Sequence, residues 1–306
     1  MPNSEDLKEV SGKIPSFDGT SIYYEKHGTQ SSRTTPIIFC YGLVCAMTQW
    51  RYQVSWFKSK TNCILVDYRG HHNSSMPRDL NSVTIENCAK DVLAVMDHLK
   101  ISKAHIVGHS MGSNVGMVLA LHFPKRVASL VSVCGSVVNP FETMFHTHLM
   151  QYFFEFLKKY HELSPKTVEV LWRRIVSNNP LNRALVASFG FNRKLIGSHD
   201  IDVYLEGVGR VPISIFKRLL EDMQQSLIDI LPQIKIPVLV VSGEKDHIQP
   251  PINQRTLYEK LPQAQWMSIP YGSHCAHMDM HEYVNLRMEK FYQELKSSSQ
   301  KTKVGA

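Results

Sequence analysis

Short apolar runs alternate along this chain with longer stretches in which apolar residues recur every three to four positions. PIIFCYG, NCILVDYRG, KAHIVGHS and RVASLVSVCG are continuous β-rich runs that end in small or polar residues. Strands buried on both faces read this way, because neither face needs a polar side chain. TSIYYEKHG alternates instead, which predicts an edge strand. Between these runs lie helical patterns. TQWRYQVSWFKS comes first, and TIENCAKDVLAVMDHLK follows, with Ile85, Val92, Val95, Met96 and Leu99 on one face. MGSNVGMVLALHF is the third and is stopped by Pro124. Strands alternating with helices of this length predict a mostly parallel sheet with right-handed crossovers.

The alternation stops after Val138. From Asn139 to Ile228 the text is helical and rich in aromatics, and after Pro232 the rhythm resumes with IPVLVVSGEKD, NQRTLYEKLP, AQWMSIPYGSH and EYVNLRMEKFYQELK. This predicts an α/β core from residues 1–138 and 229–306, interrupted by a helical cap over 139–228. Open parallel sheets bind ligands at the carboxyl ends of their strands, where such an insertion would sit. The final KSSSQKTKVGA reads as a frayed tail.

Composition narrows the class. A chain of 306 residues with 43% hydrophobic and 20% charged residues can bury a sizeable core. The net charge of +7 is spread along the chain, and no nucleic-acid motif or phosphate loop is present, so a nucleic-acid partner is not expected. The six cysteines form no C-x-x-C pair and several fall inside strand-like runs. They read as buried reduced thiols, without a metal site, in a cytoplasmic protein. The start carries no apolar signal region, and no apolar stretch approaches the roughly 20 residues that span a bilayer. The aromatics of the insertion read mostly as packing. Lys158 and Lys159 make no polybasic patch, so neither stable membrane insertion nor a bilayer-binding face is expected. A monomer or homodimer acting on a small molecule fits these features.

The chemistry centres on GHSMG, in which Gly108, Ser110 and Gly112 form G-x-S-x-G between a strand and a helix. Small flanking residues permit the sharp turn that lifts a hydroxyl clear of the sheet, with a helix N-terminus beneath it. A serine hydroxyl needs a base, and the base needs an orienting acid. Asp246 follows the strand VLVVSG, and His274 follows the next strand after a glycine turn. The order Ser, Asp, His is the one this sheet topology uses. His277, His247 and His281 compete with His274. Glu244 competes with Asp246, and Asp279 sits further along the last loop.

On FDGTSIYYEKHG, DYRGHHNSS, GHSMG, SGEKDHIQP and YGSHCAHMD the chain resembles, over essentially its whole length, the α/β-hydrolase superfamily, in the esterase- and lipase-like subgroup with a helical lid after the sixth strand. The resemblance implies hydrolysis of an ester, thioester, amide or carbon–carbon bond through an acyl-enzyme, without a cofactor. It makes Ser110 the nucleophile, His274 the general base and acid, and Asp246 the orienting acid. Relatives with the acid after strand six would place it near CGSVVNP, which offers only Asn139. Two positions depart from the pattern. Tyr41-Gly42 stands where many relatives carry His-Gly, although the amides of Leu43 and Met111 can still form an oxyanion hole. His72 stands where relatives often have glycine. A serine at the elbow also argues against the relatives that attack with a carboxylate. Expected substrate contacts are Tyr41, Gly42, His109, Phe141, Phe153, Phe156 and Ile248. The expected activity is cleavage of a carboxylic ester or thioester with a small to medium apolar acyl group. The alternatives are a ligand receptor with slow turnover, an acyltransferase or a carbon–carbon bond hydrolase.

Overall fold

The structure is a computed structural model that describes residues 7–29, 34–144, 149–176 and 179–304. Eight strands form one sheet: β1 (Leu7–Pro15), β2 (Ser21–Thr29), β3 (Ile37–Cys40), β4 (Cys63–Val66), β5 (Ala104–His109), β6 (Val127–Val133), β7 (Val238–Gly243) and β8 (Ala264–Ile269). Their spatial order is β1-β2-β4-β3-β5-β6-β7-β8. β1 and β2 run antiparallel and β2 meets β4 antiparallel, while every pairing from β4 to β8 is parallel. Every residue of β3, β4, β5 and β7 is buried, which is why these strands read as unbroken apolar text.

The edge was misplaced by the sequence. TSIYYEKHG is β2 and pairs on both sides; the edge on that side of the sheet is β1, whose LKEVSGKIP has too few apolar residues to announce a strand. An edge strand needs only one paired side and tolerates charge, so its pattern is weak.

Helices α1 (Arg51–Phe57), α2 (Ile85–His98) and α3 (Met111–His122) connect the strands of the first half. The Thr84 side chain accepts from Asn87 N–H and caps α2, whose Ile85, Val92, Val95 and Met96 are buried. Arg69 is fully buried. It donates to both carboxylate oxygens of Asp91 at 2.8 and 2.6 Å and to Asp18 at 2.8 Å, tying the DYRG turn to the FDG turn.

Between β6 and β7 the described chain is helical: α4 (Pro140–Thr143), α5 (Leu149–Leu163), α6 (Pro165–Val176), α7 (Pro180–Phe189), α8 (Ser198–Gly209) and α9 (Ile213–Asp222). After β7 come α10 (Pro251–Lys260), α11 (Ala276–Asp279) and α12 (His281–Val304). α12 carries most of the segment expected to fray, with its Val284, Met288 and Phe291 anchored in the core. All six cysteines are free and buried, as expected of reduced thiols. Burial pushes the Cys40, Cys45 and Cys63 thiols up to about 12, so they are inert at neutral pH.

Candidate active site

Ser110 occupies the single residue between β5 and α3, with φ 51° and ψ −120°. The two glycines around it are there for space. A Cβ on Gly108 would lie 2.3 Å from the Gly112 carbonyl oxygen, and one on Gly112 would lie 2.1 Å from that of Cys40. Any side chain at either position would push α3 away from β5 and β3. The positive φ at a non-glycine residue is backbone strain held by the strand on one side and the helix on the other.

The two late residues come together. His274 Nδ1 lies 3.1 and 3.0 Å from the two carboxylate oxygens of Asp246. Asp246 Oδ1 also accepts from the backbone N–H of Ile248 at 3.0 Å and of Gln249 at 2.8 Å, and its Oδ2 accepts from Gln254 Nε2 at 2.9 Å. An ionised carboxylate only accepts, so Nδ1 carries the proton and the Nε2 lone pair is left for chemistry. Both residues are almost wholly buried. Ser110 and His274 form no direct hydrogen bond; they approach through His109, whose Nε2 meets the His274 carbonyl oxygen at 2.9 Å.

The rival residues serve elsewhere. Asp279 accepts from the backbone N–H of Ser273 at 2.8 Å and of Asn192 at 3.2 Å, so it braces the loop beside His274. His281 stacks on Tyr52 at 4.0 Å, His247 is exposed, and exposed Glu244 accepts from Ser268. His277 lies fully buried between Trp50 and His109, with ring centroids at 4.6 and 4.5 Å. Burial holds His277 down to about 3 and His109 well below the usual histidine range, so both rings are neutral.

The substrate contacts expected from the sequence divide. Tyr41 and His109 are fully buried and point inward, so neither side chain lines open space. The Tyr41 hydroxyl accepts from Tyr68 N–H at 3.0 Å and sits 3.4 Å from Asp67, pinning the loop that leads into Gly42 and Leu43. Gly42 is required there, since a Cβ would lie 2.8 Å from His109 Nδ1. In the same loop Val44 has φ 54°, an uncommon conformation for a β-branched residue and a second point of stored strain. His72 takes the left-handed conformation that glycine would adopt freely, at φ 42°, and its Nε2 bonds the Cys45 carbonyl at 2.7 Å.

Phe141 is buried, but Phe153 and Phe156 are exposed, at 53% and 64%. The helical period explains this correction: α5 turns Phe154 inward, where it stacks on Phe141 with ring centroids 4.9 Å apart. Phe141, Phe154 and Leu220 form an apolar cluster against which Leu43 and Phe216 pack. The sequence reading missed Phe154 and Leu220 as neighbours of the Leu43 loop, and Gln254 as a partner of Asp246. The 3.6-residue period could have phased α5, but no sequence signal shows Gln254. Among the described residues no group of His, Cys, Asp and Glu could hold a metal ion, and no helix is long and apolar enough to cross a membrane.

Fold and site together define a hydrolase built on the α/β scaffold. The family model for the α/β hydrolase fold matches residues 35–280, and the chain belongs to that family. Among curated proteins it is 25% identical over 281 residues to the uncharacterized hydrolase YugF of Bacillus subtilis (strain 168), covering 90% of this chain and 95% of that one. Over a shorter stretch of 95 residues it is 37% identical to 3-oxoadipate enol-lactonase 2 of Acinetobacter baylyi (strain ATCC 33305 / BD413 / ADP1), covering 31% and 35%. Among solved structures, a thermophilic esterase from Thermogutta terrifontis superposes with a TM-score of 0.70 at 19% identity, covering 94% of this chain and 99% of that one.

Proposed function

We propose that the chain is a serine hydrolase that cleaves a carboxylic ester or thioester with a small to medium apolar acyl group. The observation that carries this reading is the Asp246–His274 pair, buried and hydrogen-bonded through Nδ1, beside a strained Ser110 at the strand-to-helix turn. Ser110 Oγ attacks the acyl carbon as its proton passes to His274 Nε2. The carbonyl π electrons move onto oxygen, where the amides of Leu43 and Met111 stabilise the oxyanion. Collapse expels the alkoxide or thiolate, which takes the proton from His274, and water repeats the sequence on the acyl-enzyme. Asp246 holds the imidazole in the Nδ1–H tautomer and stabilises the imidazolium.

Residues 139–228 act as the cap, and Phe141, Phe154 and Leu220, packed as an apolar cluster against Leu43, would part to take the acyl chain. Ester and lactone cleavage by the named relatives supports acyl chemistry as the class. Labelling with a fluorophosphonate tests the proposal. Covalent capture at Ser110, absent in Ser110→Ala, together with steady turnover of short-chain model esters, is the expected result. A single burst without turnover would favour a ligand receptor, and capture by an added alcohol in place of water would favour an acyltransferase.

A further inference from the structure

A cavity of about 230 Å³ lies between helices α2 and α3 of the core and the chain that returns from the insertion. That is many times the space one water needs. Ile85 at the start of α2, Val118 of α3 and Met223 just after α9 are buried and form its floor together with Asn114. Asp222, Leu227 and Ile230 are half-buried walls, and Glu86, His122 and Gln225 stand exposed at the mouth. Asn114, Val118 and His122 follow one another at four-residue steps, so they make a single stripe of α3 about 12 Å long. On the opposite side Leu227 N–H donates to the Val137 carbonyl at 3.0 Å, which ties that wall to the chain just after β6.

The floor carries a polar side chain with an unmet need. Asn114 is 4% exposed, and among the described residues its Oδ1 meets no hydrogen-bond donor. A buried acceptor left unpaired is costly, so a donor placed in the cavity would be bound favourably. The wall adds a second acceptor, this one charged. Asp222 Oδ2 accepts from Ile85 N–H at 2.7 Å, and the carboxylate takes no other hydrogen bond among the described residues. Burial pushes the Asp222 carboxyl above the usual carboxylate range, against the pull of Ile85 N–H and of Arg218. No Lys or Arg lines the cavity; Lys90 lies 2.9 Å from Glu86, and Arg218 lies 3.2 Å from Glu221. Two acceptors, one of them anionic, beside an apolar floor suit a primary ammonium on a short apolar chain. We infer that this cavity is a binding site for a small primary alkylammonium, whose N–H donors reach Asn114 Oδ1 and the Asp222 carboxylate while its alkyl chain lies on Val118, Met223 and Leu227. The inference is independent of the chemistry at Ser110.

The test is isothermal titration calorimetry of the whole chain at pH 7 with n-pentylammonium, and with 1-pentanol as its neutral counterpart of the same shape. The ammonium should bind at least about tenfold more tightly than the alcohol, and saturating ammonium should raise the melting temperature. Asp222→Asn keeps an oxygen for Ile85 N–H but removes the charge, so it should erase the preference over 1-pentanol. Asn114→Leu removes the unpaired oxygen at similar size and should weaken ammonium binding about tenfold or more. Far-ultraviolet circular dichroism should stay unchanged in both variants, and Ser110→Ala should bind the ammonium as the parent does. Equal binding of ammonium and alcohol to the parent, binding of neither, or ammonium binding that survives both substitutions would overturn the inference.

Discussion

His109 Nε2 donates to the backbone carbonyl of His274 across 2.9 Å, so the residue before Ser110 holds the main chain at His274. The bond joins β5 to the loop after β8, two segments far apart in sequence. His109 itself is neutral, since burial depresses its basicity, and it serves as a fixed donor. His109→Gln retains an amide donor of similar reach and should keep turnover within about tenfold of the parent. His109→Phe leaves a buried carbonyl unpaired, at a cost of about 1–3 kcal/mol, and should lower kcat about 10- to 100-fold with little change in KM. Steady-state kinetics of the two variants checks this, and equal activity would remove His109 from the positioning role.

Ser110→Ala should abolish ester turnover, with a residual rate about a millionth of the parent's, because the remaining scaffold offers no nucleophile. The side chain is small, so thermal unfolding should barely move. Activity within tenfold of the parent would remove Ser110 as nucleophile.

Asp246→Asn should lower kcat by about 10³ to 10⁴, since an amide at that position favours the wrong imidazole tautomer. Asp279→Asn should act differently. Asp279 accepts from Ser273 and Asn192 backbone amides, so its loss should lower the melting temperature more than the rate. Measuring kcat and Tm for both variants separates the roles; a larger kinetic loss at Asp279 would reassign the acid.

Acid should destabilise the fold through its buried histidines. His71 and His277 are each held by burial down to about 3, and His105 to about 4. The unfolded chain binds these protons below about pH 6.5 while the folded one does not, so stability is present above that value and falls as pH drops toward 4. His277→Phe keeps a ring against Trp50 and removes one such group. The slope of unfolding free energy between pH 4 and 6 should fall by about 1.4 kcal/mol per pH unit, measured by urea titration. An unchanged slope would mean that His277 titrates in the folded state.

Acyl preference should follow the apolar cluster beside Leu43. Each methylene that fits adds up to about 0.8 kcal/mol, or about fourfold in kcat/KM, until the chain outgrows the space. Phe154→Leu opens that space and should shift the optimum to longer chains. Phe153→Ala, on the exposed side of α5, should leave it in place. A chain-length series of p-nitrophenyl esters reads the difference, and an optimum that moves with Phe153 instead would relocate the pocket.

Much of this molecule was written locally. Strands buried on both faces must be apolar throughout, so β3 to β7 were legible as runs. GHSMG announced its turn because only glycine fits beside the Cys40 and Gly112 carbonyls. Asp246 and His274 were legible because each follows a strand in a parallel sheet, and parallel strands deliver their ends to one edge. Other features depend on contacts between distant segments. The strand β1 is too polar to show a period, and its partner sets its place. That His274 pairs with Asp246 while His277 stacks on Trp50 follows from packing, as does the use of Tyr41 to pin the loop before Leu43. The direction in which α5 turns Phe154 or Phe156 was likewise decided by tertiary structure. Both faces of that helix are apolar, and a periodic pattern fixes the spacing of residues around an axis but not which side meets the core.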